Sequence, residues 1–131
     1  MPPTGKILLD TNIIIALFAG DVRVAKKLSE AREVFVSSIS LGELCYGAWK
    51  SSQSRSNLRR LHDFGAGSAV LPIDADTAEE YGHLKAMLRE KGRMIPENDL
   101  WIAAQARQHK LLLVSRDGHF DLIEDLHRAS W

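Results

Sequence analysis

The chain of 131 residues has a single cysteine, Cys45, so no disulfide can form within it, and no Cys/His spacing matches a zinc site. Its five histidines (His62, His83, His109, His119 and His127) are scattered and include no HExxH pair. No long apolar run is present either. The best stretch, Ile7–Ala19, is interrupted by Asp10-Thr11-Asn12 and is too short and too polar to span a bilayer. The opening Met1-Pro2-Pro3-Thr4-Gly5-Lys6 lacks the basic segment and apolar core of a secretory signal. These absences predict a reduced, cytoplasmic protein with no membrane association. An excess of either charge is also missing: 17 Lys+Arg balance 17 Asp+Glu, for a formal net charge of +0. That excludes a basic coat for DNA, so a phosphate-rich partner must be held by a local patch or by metal ions. Repeats and low-complexity tracts are absent, and only Ser51–Ser56 reads as a longer loop.

What is present is the composition of a folded globular protein, 45% hydrophobic and 26% charged, in a length that suits one domain over residues 1–131. Apolar runs alternate with helical patterns. Lys6–Leu9, Val34–Val36, Ala69–Ile73 and Leu111–Val114 read as strands. Between them, Thr11–Ala19, Asp21–Ala31, Ser40–Trp49, Arg55–Phe64, Asp76–Lys91 and Asp99–Gln108 read as helices. Asp76 and Glu79 have capping-box spacing, and Gly92 marks a helix end. Phe120, Ile123 and Leu126 at helical spacing predict a short C-terminal helix. Nearly continuous apolar strands separated by helices predict an α/β fold, a three-layer α/β/α sandwich around a mainly parallel sheet.

Ligands of such folds sit beyond the carboxyl ends of the strands, and four acids fall there. Asp10 ends the first strand, Glu43 lies on the first turn of the helix after the second, Asp99 opens the helix before the fourth, and Asp117 follows the fourth. Asp99 reaches that edge if Asp76–Lys91 and Asp99–Gln108 form an antiparallel pair. Each acid also has a structural explanation: Asp10 as a helix cap, Glu43 as a capping-box partner of Ser40, Asp99 as a first-turn acid, Asp117 as an Asx turn. Capping does not explain why four chain-distant carboxylates gather at one edge. Unpartnered, they would repel and raise one another's pKa. A hard divalent cation, Mg²⁺ or Mn²⁺, neutralises such a set and is characteristic of phosphoryl chemistry. Thr11, Asn12 and Ser115 place hydroxyls and an amide beside the acids.

Four stretches carry a family resemblance: Leu8-Leu9-Asp10-Thr11-Asn12, Ser40-Leu41-Gly42-Glu43-Leu44, Asn98-Asp99-Leu100-Trp101-Ile102-Ala103-Ala104, and Leu113-Val114-Ser115-Arg116-Asp117-Gly118-His119-Phe120. In this order and over essentially the whole chain, the sequence resembles the PIN-domain ribonucleases, most closely the VapC-type toxins of bacterial and archaeal toxin–antitoxin pairs. The resemblance implies that Asp10, Glu43, Asp99 and Asp117 bind Mg²⁺ or Mn²⁺ and that water activated there hydrolyses an RNA phosphodiester. It further implies a homodimer neutralised by a small antitoxin whose tail enters the active site. Asp117 falls at the family's least uniform position, with Asp121 its nearest substitute.

Lys50, Arg55, Arg59 and Arg60, with Arg89, Lys91 and Arg93 later and Arg116 beside Asp117, form either a solvated face or a set of RNA-positioning cations. Tyr46, Trp49, Phe64 and Trp101 read as core or interface residues, Cys45 as inert packing, and His119 as a turn residue. Two other functions compete: a non-catalytic interaction module on the same fold, and a receiver-like phosphoryl-transfer domain. The second needs an acidic pair and a strand-end lysine where this chain has Asn12 and Arg116.

Overall fold

The computed structural model describes residues 5–131. Five strands, β1 (Lys6–Leu9), β2 (Glu33–Ser37), β3 (Ala69–Leu71), β4 (Leu112–Val114) and β5 (Arg128–Ala129), form one sheet in the order β3-β2-β1-β4-β5. Every pairing is parallel, with Leu8 opposite both Phe35 and Leu113. The helices are α1 (Thr11–Phe18), α2 (Val22–Glu30), α3 (Ser38–Trp49), α4 (Ser54–Ala66), α5 (Ala75–Glu90) and α6 (Glu97–His109). Among the described residues no helix is long and apolar enough to cross a membrane.

The period-2 geometry of β1 divides the core. Leu8 points into a cluster with Leu84, Leu88, Leu100, Ile102, Leu113 and Phe120, beneath α5 and α6. Ile7 and Leu9 point to the other face, where Ile13, Ile14, Val24 and Val36 bring in α1 and α2. Burial on both faces is why these strands are nearly uninterrupted apolar runs, and it produces the expected three-layer α/β/α sandwich.

Several boundaries move for local reasons. Helix α3 begins at Ser38 because the Ser37 hydroxyl accepts the Ile39 N–H at 3.0 Å, so Glu43 lies in the second turn and is not a capping partner of Ser40. The capping box of α5 is Asp74 with Thr77, not Asp76 with Glu79: the Asp74 carboxylate accepts the Thr77 N–H at 2.9 Å and Thr77 Oγ1 accepts the Asp74 N–H at 3.2 Å. Gly92, at φ +66°, ends α5 as expected, and the Arg93 N–H then closes back onto the Leu88 carbonyl at 2.9 Å. Helix α4 starts at Ser54 and shortens the expected Ser51–Ser56 loop, and β3 stops at Leu71 before Pro72. The tail is no α-helix. A 3₁₀ turn, Gly118–Leu122, buries Phe120, and the chain then supplies the unexpected edge strand β5.

The switch in strand order falls between β1, which leads on to β2 and β3 on one side, and β4, which leads to β5 on the other. The connections leaving β1 and β4 therefore diverge and open a crevice at their carboxyl ends.

Candidate metal centre

Asp10 stands in that crevice, at the end of β1. Its extended backbone caps α1, with Oδ1 accepting the Thr11 N–H at 2.8 Å, while Oδ2 accepts the Ser115 hydroxyl at 2.7 Å. The capping explanation thus holds and occupies part of this buried carboxylate. Ser115, at the end of β4, is fully buried and joins the two strand ends. Its Oγ also accepts the Asp117 N–H at 3.0 Å and the Asn12 side-chain amide at 3.4 Å. Thr11 Oγ1 lies 2.9 Å from both Ser40 Oγ and Glu43 Oε1. With one proton to give, it donates to the carboxylate and takes the serine hydroxyl as donor, which ties α1 to α3.

Asp99 is on the first turn of α6, and α5 and α6 are indeed antiparallel: Asp74 meets Gln108 at one end, and Lys85 meets Glu97 toward the other. The sequence therefore brings Asp10, Glu43, Asp99 and Asp117 around one open cavity of about 530 Å³, together with Thr11, Asn12, Ile15 and residues 96–98. Among the described residues no Lys or Arg lines it. Burial raises the Asp10 pKa above the ordinary carboxylate range, with the Asp117 charge adding to it. Asp99 is pushed up to about 6, chiefly by burial and then by the charge of Asp10, with Asp117 and Glu43 adding further. These acids are crowded, and His119, which works against the rise at both Asp10 and Asp99, does not cancel it.

The remaining assignments separate. Asp121, unlike Asp117, does not line the cavity: Arg128 grips both its oxygens at 2.9 Å and holds its pKa low. Arg116 points away from the cavity, pairing with Asp21 at 2.8 Å and with the Trp131 carbonyl at 2.9 Å. Arg60 is likewise engaged, its guanidinium donating to the Phe18 carbonyl at 2.6 Å and lying over the Phe18 ring. Arg55, Arg59, Arg89 and Arg93 remain exposed. Trp101 stacks on Tyr81 at 3.8 Å and does not line the cavity, while Tyr46 and Trp49 stand out from α3, 67% and 69% exposed.

His119, read from the sequence as a turn residue, does sit in a turn but also reaches two of the acids. It lies in the 3₁₀ turn with Nε2 3.0 Å from Asp99 Oδ2 and Nδ1 3.9 Å from Asp117 Oδ1. Its position two residues after Asp117 was the only available signal. Among the described residues, Asp99, Asp117 and His119 are the one group of three whose potential ligand atoms all lie within 4.8 Å of one another. Oxygen donors from four acids, a buried nitrogen and no competing Lys or Arg in the cavity suit a divalent cation.

A family model describing the PIN domain matches residues 7–126. The chain belongs to the PIN-domain family. It is 35% identical over 129 residues to "Ribonuclease VapC2" of Haemophilus influenzae, covering 96% of this chain and 98% of that one. It is 33% identical over 130 residues to "tRNA(fMet)-specific endonuclease VapC" of Shigella flexneri, with the same shares covered. Among solved structures, VapBC2 of Rickettsia felis bound to a DNA fragment from its promoter superimposes with a TM-score of 0.89 at 30% identity, over 95% of this chain and 98% of the other. A PIN domain accounts for the all-parallel sheet flanked by helices.

Proposed function

We infer that this PIN domain is a metal-dependent endoribonuclease, the toxin of a toxin–antitoxin pair, acting in the cytoplasm as a single domain. The observation that carries the reading is the gathering of four acids from β1, α3, α6 and the segment after β4 around a cavity with no Lys or Arg in its lining. Asp10, Glu43, Asp99 and Asp117 are assigned to hold Mg²⁺, with Mn²⁺ as the alternative ion. A divalent cation supplies Lewis-acid stabilisation of the phosphate charge and a water acidic enough to attack at neutral pH. The chain's own part is positioning. Ser115 and the Thr11 N–H fix both oxygens of Asp10, the Thr11 hydroxyl aims Glu43, and the Asp117 N–H bond to Ser115 sets the loop carrying the fourth acid.

The named relatives support RNA as substrate and an antitoxin as partner. A groove bordered by Ile15, Phe18, Leu44, Ala48 and Leu61 shares Thr11, Ile15 and Glu43 with the acidic cavity, so a bound antitoxin segment would lead directly into the site. Exposed Tyr46 and Trp49 offer α3 an apolar surface for self-association as a homodimer.

The test is incubation of the purified protein with total RNA, including transfer RNA, in Mg²⁺ with and without EDTA, followed by mapping of the new ends. Discrete cleavage that EDTA abolishes is expected. Cleavage that survives chelation refutes the metal mechanism, and intact RNA across the panel favours the non-catalytic interaction module.

The basic residues predict a separate result. Exchanging exposed Arg55, Arg59, Arg89 and Arg93 for glutamine should weaken binding of single-stranded RNA and lower the slope of log K against log salt by about 0.7 for each phosphate no longer neutralised. Arg60 and Arg116, already engaged within the protein, should leave that slope unchanged when exchanged. A salt slope that none of the four alters would dismiss the patch.

A further inference from the structure

His119 Nε2 is shielded from solvent and has no hydrogen-bond partner. Asp99 Oδ2 is only 3.0 Å away, yet no hydrogen bond joins them, because the ring N–H is not directed at that oxygen. A buried imidazole nitrogen left this way is costly unless something else engages it. The ring is also well supported. It lies against fully buried Phe120, centroids 4.6 Å apart, in a 3₁₀ turn tethered by the Asp121–Arg128 pair. Arg128 in turn donates to the Ser115 carbonyl at 2.9 Å, linking this support to the end of β4. Two donors on one ion, each about 2.0–2.3 Å from it, are separated by no more than about 4.6 Å. The spread of the Asp99, Asp117 and His119 ligand atoms, all within 4.8 Å, is close to that size.

We propose that the His119 imidazole is a nitrogen ligand of the divalent cation, forming with Asp99 and Asp117 a mixed oxygen–nitrogen side of the site, and that it biases the protein toward Mn²⁺ over Mg²⁺. The proposal rests on the metal-nuclease reading above and adds a fifth ligand to it. The selectivity follows from donor chemistry. Mg²⁺ prefers oxygen donors and retains its waters, whereas imidazole suits transition metals.

The experiment is pulsed electron paramagnetic resonance on the full chain loaded with Mn²⁺, read for nitrogen hyperfine coupling, with Mn²⁺ and Mg²⁺ affinities measured by titration and competition. Wild type should show directly coordinated nitrogen. His119→Gln should lose that signal and bind Mn²⁺ about tenfold or more weakly, with Mg²⁺ affinity little changed. In His119→Ala, added imidazole should restore the coupling. Should either variant fail to fold by circular dichroism, the wild-type spectrum still decides. Tight Mn²⁺ binding that Asp99→Asn abolishes, but with no nitrogen coupling in wild type, overturns the ligand role and leaves the four-acid site standing. Failure of wild type to bind Mn²⁺ or Mg²⁺ overturns the underlying metal reading and this proposal with it.

Discussion

Asp99→Asn is expected to lose RNA cleavage by roughly two to three orders of magnitude while making the metal-free protein more stable. The two effects share a cause. Asp99 is a half-buried carboxylate near Asp10, Asp117 and Glu43, with its pKa pushed up to about 6. For an acid, a folded-state pKa above the unfolded value of 3.8 means that folding disfavours the ionised form at neutral pH. Asparagine keeps the shape and removes the charge, which should add roughly 1–2 kcal/mol after allowance for solvent screening. The same charge is what a cation requires, so removing it forfeits the chemistry. Urea denaturation in EDTA measures the first effect and cleavage of a mapped RNA the second. A variant less stable than wild type without metal would refute the electrostatic account, and a variant that still cuts at the wild-type rate would remove Asp99 from the site.

The parts of this molecule that could be read from the sequence are those governed by local pattern or by topological parity. Continuous apolar strands required a sheet covered on both faces, and the antiparallel α5–α6 pair required Asp99 to begin its helix where Asp10 ends its strand. What could not be read depended on side-chain competition across space. Asp121 and Asp117 are equivalent acids in a one-dimensional view, and only the Arg128 grip separates them. Arg116 sits beside a site acid yet serves Asp21 and the Trp131 carbonyl. The apolar period of Phe120, Ile123 and Leu126 suited a helix, but a 3₁₀ turn buries Phe120 and Ile123 and frees the chain to add β5. His119 was legible only as a turn residue, because an imidazole two residues from an acid is uninformative until a third group, here Asp99 from a distant helix, is placed beside it.

Divalent-ion binding should weaken about tenfold for each pH unit below about 6, one proton being displaced from Asp99 as the ion enters. Titration of Mn²⁺ at several pH values between about 5 and 7 measures this directly. Stability supplies an independent check of opposite sign. Between the unfolded value of 3.8 and about 6, the native state holds a proton on Asp99 that the unfolded chain has released. The stability of the metal-free protein relative to Asp99→Asn should therefore fall as pH rises through that interval and level off above it. The comparison with Asp99→Asn is needed because Asp21, Asp74 and Asp121, whose pKa values are lowered by hydrogen bonds, give the whole protein the reverse trend at more acidic pH. With Mn²⁺ at a hundred times its Kd that fall should all but vanish: the ion binds the deprotonated native site, so the gap between metal-loaded and metal-free wild type should grow as pH rises through the interval, to about 2.7 kcal/mol. Metal-free and metal-loaded curves that ran parallel would mean that Asp99 is not the group linking proton release to ion binding.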